Sequence, residues 1–244
     1  MLNFCPQCET WYNPTRHDQI YCGDRCRSAG FRAGRQAPAR RVRPAIVGDV
    51  AGDCLFPSNN DLEIPALDLA LQGDALDLPV TQWGSISRHA DMPGTWHFYT
   101  DDFHFATLWD HPERVTATPC VSCVEINYST TEQNERARII WQVYRKRWIA
   151  RYWQARGIRV WVDLNVSAKA DPINRLGIPP GWRAFATRGY ADAPGNLERQ
   201  HDIASQIAGE AAPLFVVYSG GKMIRELCQA RGWLYLPDQI GGKL

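Results

Sequence analysis

The chain has 244 residues, of which 45% are hydrophobic and 22% charged, as in an ordinary globular protein with a substantial core. This length allows one large domain, or one domain with a small additional module. No apolar run approaches the roughly 20 residues that cross a bilayer. The start, MLNFCPQC, lacks the basic and apolar regions of a secretory signal. We therefore predict a cytoplasmic protein with no membrane partner.

The net charge of +1 conceals an asymmetry between the two ends of the chain. Residues 1–43 carry eight arginines against three carboxylates, a charge of +5, so the remainder carries −4. A basic segment attached to a mildly acidic domain favours a polyanionic partner for the basic segment.

The N-terminal segment CPQCETWYNPTRHDQIYCGDRC contains four cysteines, Cys5, Cys8, Cys22 and Cys26. Their C-x2-C and C-x3-C spacing is close to that of structural zinc sites with four thiolates. Cys22 and Cys26 are one helical turn apart, so both sulfurs can face the same point. In a module this small the metal supplies much of the folding free energy. We predict a structural zinc ion held by these four residues.

The same segment resembles a known class of zinc module. Its pattern, C-P-x-C, an aromatic, R-x-D-Q-x-Y-C and C-R-x-A, is similar to treble-clef zinc knuckles of phage and bacterial DNA-handling proteins, over about the first 35 residues. Such knuckles also mediate protein contacts. The resemblance and the basic helix CRSAGFRAGRQ together predict contact with nucleic acid through phosphates, and they favour DNA. The predicted binding residues are Arg25, Arg27, Arg32, Arg35, Arg40 and Arg41. A solvated basic face, or a scaffold that covers part of the rest of the chain, remains an alternative.

The remaining chain predicts an α/β domain. We place the zinc module at residues 1–36, a basic linker at 37–60 and the α/β domain at 61–244. Short β-rich runs such as TWHFYTDD, CVSCVEINYS and PLFVVYSGG alternate with helices near 132–156, 196–211 and 222–231. This alternation indicates a mainly parallel sheet, either open or closed into a small irregular barrel. DLEIPALDL and VTQWGSI would raise the number of strands to eight.

The long predicted helix carries a stripe of aromatic and small residues. At 100° per residue the stripe contains Ala137, Trp141, Tyr144, Trp148, Tyr152 and Ala155. Arginines border it on both sides. We favour a stripe that faces the core, with the arginines reaching outward and Arg147 pointing at carboxylates of the strand ends. The alternative is a surface that stacks the bases of a single strand.

The α/β region also resembles a family. The motifs GTWHFYTDDFHF, VEINYST and GIPPGWRAFATRGY are similar to those of an uncharacterised family of bacterial, phage and plasmid proteins, from about residue 60 to the end. The resemblance implies a mobile-DNA context and an α/β fold. It implies no activity and no catalytic residues.

Ligands of parallel sheets and barrels gather beyond the carboxyl ends of the strands. The candidate catalytic residues there are Asp101, Asp102, Glu125, Asp163, Arg188 and Lys222. Converging carboxylates would bind Mg²⁺ or Mn²⁺, which serve phosphodiester chemistry. Arg188 and Lys222 would then neutralise the phosphate. The competing interpretation is that these residues are ordinary polar ends of strands.

Two further motifs favour a structural role. His97 lies in an aromatic strand and is predicted to be a core residue with a hydrogen-bond partner. Cys120 and Cys123 are three residues apart in a predicted strand, so they should lie on opposite faces and bind no shared metal.

Three hypotheses follow for the function. The leading one is a zinc-knuckle protein of a phage, plasmid or other mobile element that associates with nucleic acid. The second is a divalent-metal nuclease or phosphotransferase, and the third is a non-enzymatic adaptor that binds a protein partner.

Overall fold

The computed structural model describes residues 3–5, 7–8, 10–12, 21–34, 55–85 and 91–238. Contacts divide the chain into two compact units, Met1–Ile46 and Val47–Leu244. The predicted linker, 37–60, lies mostly outside the described residues. Each unit is described by itself below.

The N-terminal unit contains a hairpin and a helix. Strand β1 (Asn3–Phe4) pairs antiparallel with β2 (Trp11–Tyr12), and helix α1 spans Asp24–Gly34. Asp24 lies in the first turn of α1, where a negative charge interacts favourably with the helix dipole.

The second unit is built on a seven-stranded parallel sheet. Its strands are β3 (Val80–Gln82), β4 (Thr95–His97), β5 (Ser122–Val124), β6 (Arg159–Asp163), β7 (Ala184–Arg188), β8 (Leu214–Tyr218) and β9 (Leu234–Leu236). They are neighbours in the order of the sequence, and every neighbouring pair is parallel. The α/β fold with a parallel sheet is therefore confirmed, and all strands end at the same edge.

The sheet is curled into a half-barrel. Strands β4 and β8 are four positions apart, which would separate them by about 19 Å in a flat sheet with a spacing of about 4.8 Å. The rings of His97 on β4 and Tyr218 on β8 are nevertheless only 4.3 Å apart between centroids. The Tyr218 hydroxyl also donates to Gln82 Oε1 on β3, at 3.4 Å. Side chains on the concave face thus meet across the curl.

Helices follow most of the strands. They are α2 (Glu113–Thr116), α3 (Arg136–Gln154), α4 (Asp171–Asn174), α5 (Gly195–Ala208) and α6 (Gly221–Arg231). The three predicted helices correspond to α3, α5 and α6. Helix α6 ends at Arg231, and the next residue, Gly232, has a φ of 71° in the left-handed region that glycine adopts without strain. None of the described helices combines the length and apolar character that spanning a membrane requires.

Three local predictions were wrong. The segment 61–69 adds no strand to the sheet, and its Pro65 forms only an isolated bridge with Ser58. Cys120 precedes β5 instead of lying within it, so the turn brings its Sγ within 3.9 Å of Cys123 Sγ. The aromatic stripe of α3 enters the core only at Trp148, whereas Trp141 is 47% exposed and Tyr144 and Tyr152 are half-buried. The opposite side of the helix, with Ile139, Val143 and Trp153, is buried instead.

Candidate metal centre and strand-end cluster

The four N-terminal cysteines lie on two structural elements. Cys5 and Cys8 are in the connection between β1 and β2, where the Cys5 N–H donates to the Thr10 carbonyl at 2.9 Å. Cys22 precedes α1, and Cys26 is in its first turn. A tight hairpin and a helix start therefore present two sulfurs each, as the C-x2-C and C-x3-C spacings predict.

The sulfurs are close enough to bind one metal ion. The Sγ atoms of Cys8 and Cys22 are 3.6 Å apart, those of Cys22 and Cys26 are 3.5 Å apart, and all four lie within 4.8 Å of one another. A tetrahedral ion with metal–sulfur bonds of about 2.3 Å would separate its ligands by about 3.8 Å. The donor set is therefore consistent with zinc. Among the described residues, this is the one group of three or more potential ligands within such a distance.

The predicted basic residues are described only in part. Arg25 is exposed on α1, and exposed Arg27 forms an ion pair with Asp24 at 2.9 Å. Arg32 belongs to α1, but its side chain is outside the described part of the chain, as are Arg35, Arg40 and Arg41 entirely.

Asp163, at the end of β6, is the centre of a buried polar cluster. Its Oδ1 accepts from the Tyr99 hydroxyl at 3.2 Å and from the Asn165 N–H at 2.9 Å. Its Oδ2 accepts from Asn127 Nδ2 and from Lys146 Nζ, both at 3.1 Å. Burial, followed by the nearby Asp163 charge, holds the pKa of Tyr99 well above its usual range. Tyr99 therefore stays protonated and donates to the carboxylate.

Glu125 forms a second buried ion pair beside the first. It pairs with Arg147, and both side chains are fully buried. Arg147 also donates to the Asn174 carbonyl at 2.7 Å, and Glu125 Oε2 accepts from the Asp163 N–H at 3.2 Å. The prediction that Arg147 points at a strand-end carboxylate is confirmed.

The other predicted catalytic residues lie in different surroundings. Asp102 accepts from the Ser129 hydroxyl at 2.9 Å, and Asp101 is exposed next to it. Arg188 is half-buried with its guanidinium 5.4 Å from the Tyr190 ring centre. Lys222 is exposed on α6, with Nζ 3.7 Å from Glu226 Oε1.

Of the six predicted catalytic residues, Glu125 and Asp163 are the two that a hydrogen bond joins directly within the described part of the chain. Each of these two carboxylates faces a buried cation, which satisfies its charge without a metal ion. No three carboxylates in the described ranges come close enough to share an ion. The predicted Mg²⁺ or Mn²⁺ site gains no support from this geometry.

Three residues around the strand ends were not predicted from the sequence as site residues. Lys146 pairs with Asp163, and Tyr99 and Tyr218 stack on the concave face at 5.7 Å between centroids. The sequence does contain a signal for Tyr99. Side chains of a strand alternate between its two faces, so TWHFY places positions 95, 97 and 99 on the same face. The curl, which brings Tyr218 to that face, has no local sequence signal.

His97 is buried on the concave face and is uncharged. Its Nδ1 accepts from the Tyr99 N–H at 3.4 Å, and its Nε2 has no hydrogen-bond partner among the described residues. Burial lowers the pKa of His97 from 6.5 to about 3, with Asp238 opposing the shift and Arg188 adding to it. The folded protein therefore excludes a proton that the unfolded chain accepts.

This burial predicts a pH-dependent loss of stability. The contribution is fully present above about pH 6.5, and falls by about 1.4 kcal/mol per pH unit as the pH drops toward 3. Between about pH 6.5 and pH 5, we expect the free energy of unfolding of His97→Gln to depend less steeply on pH, by up to about 1.4 kcal/mol per pH unit. Urea denaturation followed by tryptophan fluorescence measures it. The exposed His104→Gln is the control, and an unchanged slope in His97→Gln would contradict the assignment.

The fold and site define a class: an α/β half-barrel protein with an N-terminal cysteine cluster that can bind a metal ion. The family model described as "Domain of unknown function (DUF4417)" matches residues 56–181, more than half of the chain. The chain belongs to this family, as the resemblance of its α/β region implied.

Curated relatives come from phages. The "Gene 1 protein" of Mycobacterium phage D29 is 35% identical over 113 residues, covering 43% of this chain and 40% of the relative. The "Gene 1 protein" of Mycobacterium phage L5 is 32% identical over 111 residues, covering 43% and 47%. The chain spans less than half the length of these relatives. No solved structure matches it significantly.

Proposed function

We propose that this is a nucleic-acid-associated protein of a phage or related mobile element, in which a zinc module docks the chain on DNA. The observation that carries the proposal is the cluster of four cysteines at the start of a helix with exposed arginines. Four thiolates in tetrahedral reach favour zinc over harder cations.

The charge of the N-terminal segment supports a polyanionic partner. Arg25 and Arg27 are exposed on α1, and residues 1–43 carry a net charge of +5. Phosphate contacts of this kind position a protein on DNA without selecting a base sequence. The phage origin of the curated relatives agrees with this context.

The salt dependence of duplex binding tests the proposal. We expect the zinc-loaded protein to bind duplex DNA with an affinity that falls as salt rises. Replacing Arg25 and Arg27 with glutamine should weaken binding and reduce the slope of log K against log salt by roughly 0.9 for each lost phosphate contact.

A control variant with two arginine substitutions removes the same charge from the second unit. Arg183 and Arg225 are exposed there, so Arg183→Gln with Arg225→Gln should leave the slope unchanged. Duplex binding that is absent at low salt, or that both pairs weaken equally, would refute docking through the zinc module.

A further inference from the structure

The outward face of α3 carries aromatic side chains that the fold leaves partly in solvent. Trp141 is 47% exposed, although a tryptophan is normally well buried. Tyr144 and Tyr152 on the same face are half-buried, as is the neighbouring Trp109. Trp148 lies beneath them, covered in part by Phe56 at 5.4 Å between ring centres. We call Trp109, Trp141, Tyr144 and Tyr152 the α3 aromatic face.

The rings form parallel pairs along the helix. Trp141 and Tyr144 are 6.0 Å apart between centroids with 12° between their planes, and Trp148 and Tyr152 are 5.6 Å apart with 23°. Trp109 meets Trp141 edge-on at 5.2 Å. From Trp141 to Tyr152 the helix rises about 16 Å. The face is therefore long enough to contact more than one nucleobase.

Arginines border these rings without carboxylate partners. The guanidinium carbon of Arg145 is 3.9 Å from the Tyr128 ring centre and 5.5 Å from that of Trp141. That of Arg156 is 3.3 Å from the Tyr152 ring centre. Within the described part of the chain, none of the following forms an ion pair: Arg138, Arg145, Arg151 and Arg156. By contrast, Arg147 of the same helix is fully buried and pairs with Glu125. The outward face is thus cationic as well as aromatic.

Exposed aromatic rings next to arginines without carboxylate partners favour some classes of partner over others. Unneutralised guanidinium groups favour a polyanion, whereas a purely apolar partner would leave them unpaired. Aromatic rings gain most from bases that are not already stacked, and duplex DNA keeps its bases inside the stack. Base stacking on aromatic side chains beside a positive surface is the general mode of single-strand binding.

We propose that the α3 aromatic face and its arginines bind single-stranded DNA, with Trp141 and Tyr144 stacking on bases and Arg138 and Arg145 holding phosphates. The choice of DNA rests on the proposed function. The α3 aromatic face belongs to the second compact unit, and the cysteine cluster belongs to the first.

Fluorescence polarisation with a labelled oligothymidylate tests the surface in the full-length, zinc-loaded protein. We expect Trp141→Ala to weaken binding roughly tenfold, and Trp141→Phe to retain most of it. Arg145→Gln should weaken binding and flatten its salt dependence. Phe103→Ala removes a 70% exposed aromatic residue elsewhere and should leave binding unchanged.

A duplex of the same length separates this proposal from docking by the zinc module. Weaker single-strand binding with unchanged duplex binding in Trp141→Ala supports the surface. Unchanged single-strand binding in Trp141→Ala and Arg145→Gln overturns it, while duplex binding through Arg25 and Arg27 would still stand. Tighter binding of oligouridylate than of oligothymidylate overturns the choice of DNA.

Ultraviolet crosslinking provides a readout that does not depend on a variant. Thymidine adducts should appear on the tryptic peptide that contains Trp141 and Tyr144. Adducts confined to residues 1–46 would overturn the proposal, because the single strand would then contact only the N-terminal unit.

Discussion

Removal of zinc should unfold residues 1–46 and leave the half-barrel folded. The described part of the N-terminal unit contains two strands of two residues each and one helix, which is too little structure to be stable alone. Metal binding in such modules contributes about 10–16 kcal/mol in zinc-finger peptides, and most of it is folding free energy. Limited proteolysis with mass spectrometry, before and after chelation, should show cleavage appearing only in the N-terminal unit.

Cysteine variants make the same test without a chelator. Cys22→Ser should lose stoichiometric zinc and expose the N-terminal unit to protease. Cys228→Ala removes a buried cysteine of the second unit and should keep the zinc. Zinc content measured on reduced protein distinguishes them. Equal protection of the N-terminal unit with and without metal would contradict the structural role of the ion.

Breaking the buried pair of Glu125 and Arg147 should destabilise the half-barrel strongly. In Arg147→Met, the fully buried Glu125 carboxylate loses its cationic partner and retains only the Asp163 N–H as a donor from this pair of strand ends. Removing one partner of a buried ion pair typically costs about 3–5 kcal/mol, because the other charge stays uncompensated. Urea denaturation followed by tryptophan fluorescence measures the loss.

Two comparisons separate the charge effect from the loss of packing. Glu125→Gln combined with Arg147→Met removes both charges, so it should be less destabilising than Arg147→Met alone. Lys222→Met breaks an exposed pair with Glu226 and should change the stability by less than about 1 kcal/mol. A double variant as unstable as the single one would mean that packing, not charge, dominates at this position.

The two proposals assign different nucleic-acid contacts to different units of the chain. In the first proposal, Arg25 and Arg27 of the N-terminal unit contact phosphates. In the second, the rings of the α3 aromatic face stack on unpaired bases. The buried charges of the half-barrel have a different role. Lys146 and Arg147 neutralise Asp163 and Glu125, which fixes α3 against the ends of β5 and β6. The same helix thereby holds its aromatic side away from the sheet.

Features that depend on residues close together in the chain could be predicted from the sequence. The spacing of Cys5, Cys8, Cys22 and Cys26 predicts a hairpin and a helix start, since each pair spans a single turn. The alternation of β-rich runs with helices predicts the parallel α/β sheet, because parallel neighbours need a crossover between them. The motifs of the α/β region were sufficient to indicate the family.

Which of the predicted residues contact one another depends on how the helices pack on the sheet. Six candidate catalytic residues follow or flank strands, but only the packing of α3 shows that Lys146 and Arg147 pair with Asp163 and Glu125. Helix α3 has aromatic or aliphatic residues on several sides, so its periodicity does not show which side faces the sheet. The sheet contacts the side whose polar groups can reach buried carboxylates, because an unpaired buried charge would cost more than a partly exposed tryptophan.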